Sequence, residues 1–63
     1  MLAIERQRRI LDLLAGAGSL RTTETAEALG VTDETVRKDF ELLEKRGELI
    51  RIHGGASRPE KIR

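Results

Sequence analysis

A chain of 63 residues with no cysteine and one histidine buries one small core, and it excludes a disulfide framework, a thiolate or histidine metal site and an enclosed substrate cavity of ordinary size. No apolar run approaches the roughly 20 residues of a membrane span, and Met1-Leu-Ala-Ile-Glu-Arg6 lacks a signal-peptide layout, so one cytoplasmic domain without membrane, cofactor or metal is expected. The formal net charge of +1 hides an asymmetry, because residues 1–50 carry eight Lys/Arg against ten Asp/Glu and residues 51–63 carry Arg51, Arg58, Lys61 and Arg63 against Glu60 alone; a basic tip on a near-neutral body suits local contact with a polyanion.

In chain order, Ile10, Leu13 and Leu14 at i, i+3 and i+4 predict an apolar face on a first helix from Ile4 to Leu14, with Gly16 and Gly18 as its stops. Arg6, Arg8 and Arg9 on that helix read as a solvated face. Leu20-Arg-Thr22 predicts a brief strand. Thr22 or Thr23 is expected to N-cap a second helix, short and alanine-rich, that runs to Leu29 and stops at a left-handed Gly30.

Gly30-Val31-Thr32 then reads as a tight turn, in which Val31 plugs the core and the Thr32 hydroxyl caps a third helix over residues 33–45, with Asp33 and Glu34 complementing its dipole. Two helices joined this way predict a helix-turn-helix. Val36, Phe40 and Leu43 form one buried stripe, while Glu34, Lys38, Glu41 and Lys45 share the opposite side. Asp39, beside the stripe, is expected to pair with a neighbouring arginine. Gly47 ends the helix, Leu49-Ile-Arg-Ile-His53 predicts a strand, Gly54-Gly55 a hairpin turn, and the strand from Ala56 is cut short by Pro59.

Helix, strand, helix, turn, helix and hairpin together predict a mostly α fold with a small β-hairpin (α+β), a three-helix winged helix-turn-helix. A helix fits the major groove of B-DNA and reads base edges near its N-terminus. Thr35, Arg37 and Lys38 are therefore the first candidates for base contact. Thr23 and Thr32, at the two helix starts, are further candidates for DNA contact. Arg51, His53 and Arg58 on or beyond the wing are expected along flanking phosphates or the minor groove.

Particular motifs make the chain resemble the DNA-binding domain of the DeoR family of bacterial transcriptional regulators. The Glu-Arg pair that family members carry before the first helix, seen here as Glu5-Arg6, the turn Val31-Thr32, the helix segment Thr35-Val-Arg-Lys-Asp-Phe40 and the closing Arg51-Ile-His-Gly-Gly-Ala56 carry the likeness across nearly the whole chain. Departures are Lys38 for the usual second arginine, a point charge in place of a fork, Thr25 where an apolar residue is usual, and Ser57-Arg58-Pro59 in place of an apolar continuation. The resemblance implies a winged helix-turn-helix over residues 3–58, with the helix-turn-helix about 20–39 and the wing about 49–58. Residues 59–63 would begin a linker to a C-terminal effector domain outside these residues, one that binds a phosphorylated sugar or related metabolite and makes a homo-oligomer.

Three functions are weighed. Sequence-specific binding of a double-stranded DNA operator, in a repressor, leads. A winged helix used for protein or RNA contact is the alternative, although the chain has no Trp or Tyr to stack on single-stranded RNA, and protein contact calls for an exposed apolar patch. An enzyme is not expected, since Ser19, Ser57 and His53 form no acid, base or nucleophile pattern. The bland reading of the charged helix face, solvated Glu34–Lys38 and Glu41–Lys45 pairs at i, i+4, is outweighed for Arg37 and Lys38 by the turn, the wing and the family motifs. Lys45 and Arg46 are read as surface.

Overall fold

The structure is a computed structural model that describes residues 1–59; the linker expected over 59–63 lies, apart from Pro59, outside the described residues. Three helices, α1 (Ala3–Ala17), α2 (Thr22–Leu29) and α3 (Asp33–Lys45), and three strands, β1 (Ser19–Arg21), β2 (Ile50–Ile52) and β3 (Gly55–Ser57), follow one another in the order α1, β1, α2, α3, β2, β3. The order is that of a winged helix-turn-helix, an α+β fold. Among the described residues no helix is long and apolar enough to cross a membrane.

The core forms where the three helices meet the inner face of the sheet. Ile10 and Leu14 of α1, Ala26 and Leu29 of α2, Val36, Phe40 and Leu43 of α3, then Leu49 and Ala56, are all buried. Burial of this apolar surface is the main force holding so short a chain together. The expected α3 stripe is therefore present, and Val31 packs half-buried against the core. Leu13 departs from expectation, because it stays 40% exposed: the face of α1 that meets the core is centred on Ile10, Leu14 and Gln7, and Leu13 sits on its flank.

α1 runs three residues beyond the expected Leu14, straight through Gly16, and ends where Gly18 takes φ 87° and its N–H returns to the Leu14 carbonyl. α2 starts at Thr22 with Arg21 in the cap position and no side-chain cap, so the expected threonine cap is absent. The reason is topological. α2 follows β1 with no intervening loop, Arg21 is held in the sheet opposite Gly55, and the Thr22 N–H donates instead to the Gly54 carbonyl of the wing turn at 2.9 Å. Thr25, buried, satisfies its hydroxyl on the Arg21 carbonyl at 2.8 Å. Gly30 closes α2 in the left-handed region at φ 69°.

The sheet order is β1-β3-β2, antiparallel throughout. The expected strand Leu49 to His53 is trimmed to Ile50–Ile52, since Leu49 turns into the core and His53 is drawn into the turn. The left-handed turn residue is Gly54 at φ 79°. Gly55 has a different job as the first residue of β3: a Cβ there would stand 1.9 Å from the Leu20 carbonyl oxygen. The short third strand expected after the turn is thus the middle strand of the sheet.

Candidate nucleic-acid interface

The start of α3 is fixed by its own threonines. The Thr32 hydroxyl accepts from the Thr35 N–H at 3.2 Å and lies 2.9 Å from the Thr35 hydroxyl, a hydrogen bond that either can donate. This satisfies one of the unpaired N–H groups of the first turn. Thr32 itself is exposed and Thr35 half-buried.

Beyond the cap, Val36, Asp39, Phe40 and Leu43 turn inward, so the positions between them must turn outward at 3.6 residues per turn. Arg37 and Lys38 are exposed there, with Glu34 and Glu41 beside them. Among the described residues, no ion pair ties either base to its neighbouring glutamates; the one ion pair present is Arg6 with Asp39. That pair corrects two expectations. Asp39 pairs with an arginine from another helix, not with a neighbour in sequence, and Arg6 is not part of a solvated face, whereas Arg8 and Arg9 are exposed. Both Arg6 Nε and Nη2 donate to the Asp39 carboxylate, so α3 is fastened to α1 on the flank away from Arg37.

The wing is fastened at both of its ends. At the tip, the Thr22–Gly54 bond ties the turn to the start of α2. At the edge, the Arg51 N–H donates to Glu44 Oε2 of α3 at 3.3 Å. Residues paired across an antiparallel sheet share a face, so Arg51, opposite Ala56, lies on the helix side of the sheet at its margin. Ile50 and Ile52 take the outer face. His53 sits in the wing turn, exposed, not on a strand as expected.

The structure brings Thr23, Thr32, Thr35, Arg37, Lys38, Arg51 and His53 onto elements joined by these bonds. Thr23 is exposed one residue into α2, next to the bond that holds the wing turn. Arg58 is placed otherwise. Its N–H donates to the Gly18 carbonyl at 3.1 Å and its Nη1 to the Ala15 carbonyl at 3.4 Å. It therefore stands at the C-terminal end of α1, where a cation complements unpaired carbonyls and the helix dipole. Sequence reasoning missed Glu44 and the long-range partner of Asp39. The one signal for the latter was a carboxylate next to a buried stripe, a position that needs a partner. Among the described residues no three His, Cys, Asp or Glu side chains are grouped to hold a metal.

The family model of the DeoR-like helix-turn-helix domain matches residues 6–62. An uncharacterized HTH-type transcriptional regulator of Bacillus subtilis, YulB, is 45% identical over 56 residues, which cover 89% of this chain and 22% of that protein. Lactose phosphotransferase system repressors of Streptococcus mutans and Staphylococcus aureus are 50% and 48% identical over 52 residues, 82% of this chain and 21% of each repressor. The chain thus spans about a fifth of the length of these curated relatives. No solved structure matches it.

Proposed function

The chain belongs to the DeoR-like helix-turn-helix family, and from that premise we propose that it is the operator-reading domain of a longer bacterial repressor, residues 3–58, which lays α3 in the major groove of double-stranded DNA. Thr35, Arg37 and Lys38 take base edges, with arginine or lysine on guanine O6 and N7. Thr23 and Thr32 take phosphates at the two helix starts, and Arg51 and His53 of the wing take the flanking backbone or minor groove, adding affinity with little sequence information. Arg58 reaches phosphate only by leaving the end of α1, so its place in the interface is secondary.

The observation that carries the reading is the exposed Arg37–Lys38 pair on a capped helix beside a wing bonded to both α2 and α3. Such bonds hold the two contact surfaces at a fixed spacing before DNA arrives, which lowers the ordering cost of binding. About three or four cationic contacts give a salt slope near −3 for one domain. Two copies on half-sites about 34 Å apart, or a multiple, would gain the working affinity by tethering. The names of the lactose phosphotransferase system repressors support a phosphorylated sugar or related metabolite as the effector, bound outside these residues by a domain that also makes a homo-oligomer.

The test is fluorescence anisotropy on duplexes from a randomised-site selection, comparing this chain with an Arg37→Ala, Lys38→Ala variant across a salt series. Loss of sequence preference with weak salt-dependent binding retained supports the reading. Equal binding by both proteins, or none by either, sinks it. The second reading, a wing used for protein contact, has one observation in its favour: Ile50 and Ile52 lie 42% and 46% exposed side by side on the outer face of the sheet.

A further inference from the structure

The interface above leaves Glu34 without a role. On a helix that turns about 100° per residue, Glu34 and Lys38 each stand about 160° from Val36, on either side of the line that points straight out of the core. Glu34 is the second residue of α3, exposed, and Cβ atoms of a helix tilt toward its N-terminus. A helix that enters the groove by its first turns therefore carries the Glu34 carboxylate in with Lys38. Intrahelical pairing does not neutralise it, because among the described residues neither Arg37 nor Lys38 forms an ion pair with it.

A carboxylate between two rows of phosphates loses water and meets like charge, and it is tolerated only where hydrogen-bond donors replace the water. On the floor of the major groove the donors are the amino groups of cytosine N4 and adenine N6. Adenine sets its N7 acceptor beside that amino group, which repels a carboxylate; cytosine offers the donor with no adjoining acceptor of its own. We propose that Glu34 is a specificity-determining residue that accepts from the N4 amino group of one cytosine in each half-site. Guanine and thymine there leave the carboxylate desolvated and unpaired, and adenine sets its N7 lone pair against it, so Glu34 selects by penalty as much as by attraction. The inference rests on the docking proposed above, with α3 in the major groove.

The experiment is a base-by-base binding profile of this chain and of Glu34→Ala, Glu34→Gln and Lys38→Ala variants, on singly substituted duplexes at fixed salt, with thermal melts alongside. The parent chain is expected to lose about tenfold in affinity when that cytosine is replaced. Glu34→Ala should flatten this one position to within about twofold, leave the guanine positions that Lys38→Ala erases, and bind unselected duplex more tightly. Glu34→Gln should move the preference from cytosine to adenine, because an amide donates to N7 and accepts from N6. A Glu34→Ala profile identical to the parent overturns the assignment. So does loss of all positions together, which would make Glu34 an orienting partner of the bases beside it. A parent chain with no base preference anywhere overturns the docking itself, and this assignment with it.

Discussion

Arg6 of α1 holds Asp39 of α3 by two hydrogen bonds, Nε to Oδ2 and Nη2 to Oδ1 at 3.0 Å, across 33 positions of sequence. The Asp39 side chain is 5% exposed and that of Arg6 16%, so the pair is largely shielded, and its fork geometry fixes both distance and rotation between the helices. Removing Asp39 leaves the half-buried Arg6 without its acceptor. Asp39→Ala is expected to lower unfolding stability by about 1 to 3 kcal/mol, a sizeable share of the roughly 3 to 9 kcal/mol typical at this length. Urea unfolding at neutral pH checks it, and a loss below about 0.5 kcal/mol would reduce the pair to the worth of an exposed one.

The same pair sets a pH dependence. Its hydrogen bond to Asp39 raises the Arg6 guanidinium above the ordinary arginine value, against desolvation and with the attraction of the carboxylate. A group raised on folding contributes stability that is full below its unfolded pKa and lost as pH climbs through the folded one, which for Arg6 lies beyond the arginine range. Unfolding free energy should thus show no loss from this pair between about pH 7 and pH 10. In Arg6→Lys the fork is gone and the pKa starts near 10.4. That variant should be weaker at pH 7 and weaken again toward pH 11, measured by urea titration at stepped pH.

Arg51 and Arg58 separate wing contact from helix capping. Arg51 is exposed at the margin of the sheet beside α3, and Arg58 stands on the Ala15 carbonyl. Arg51→Ala should make the salt slope of duplex binding shallower by about one unit with little change in melting. Arg58→Ala should lower stability by about 0.3 to 1 kcal/mol, as expected for a cation at a helix C-terminus, and leave the slope alone. A slope change for Arg58→Ala as large as that for Arg51→Ala would return Arg58 to the interface.

Two adjacent glycines predict unequal costs for the same methyl group. Gly54 needs its left-handed φ of 79° but has open space around it, while Gly55 has the Leu20 carbonyl oxygen 1.9 Å from where a Cβ would be. Gly54→Ala should cost about 1 to 2 kcal/mol of backbone strain. Gly55→Ala must push β1 away from β3, and with it the Arg21–Gly55 pairing that leads into α2. It should therefore melt well below Gly54→Ala and lose duplex affinity too; equal melting temperatures would sink this account.

What could be read from the residues divides along range. The α3 stripe, the Thr32 cap and the left-handed Gly30 were legible because each depends on neighbours three or four positions away. The start of α2 was not, because Thr22 finds its acceptor in Gly54, 32 positions on, once the sheet has formed. Asp39 failed in the same way: local spacing shows a carboxylate that needs a partner but not which helix supplies it. His53 was misplaced by one step, since Gly54 and not the Gly54–Gly55 pair makes the turn. The outward placement of Arg37 and Lys38 followed from helix period, whereas the placement of Arg58 on the Ala15 carbonyl depended on where α1 stops.

Thr32 can be tested for two roles at once, as the cap of α3 and as a phosphate contact. Its hydroxyl already accepts from the Thr35 N–H, so Thr32→Ala should cost about 1 kcal/mol of stability. Thr32→Asp keeps an oxygen acceptor for the same N–H and favours the helix dipole, so its melting temperature should stay near that of the parent. At a docked helix start, however, its charge faces phosphate, and like charges across an interface oppose both encounter and affinity. Duplex affinity of Thr32→Asp should therefore fall about tenfold or more at low salt, with the deficit shrinking as salt screens it. If Thr32→Asp binds as well as the parent chain while Thr32→Ala melts earlier, Thr32 is a cap alone and the backbone contact belongs elsewhere on the first turn of α3.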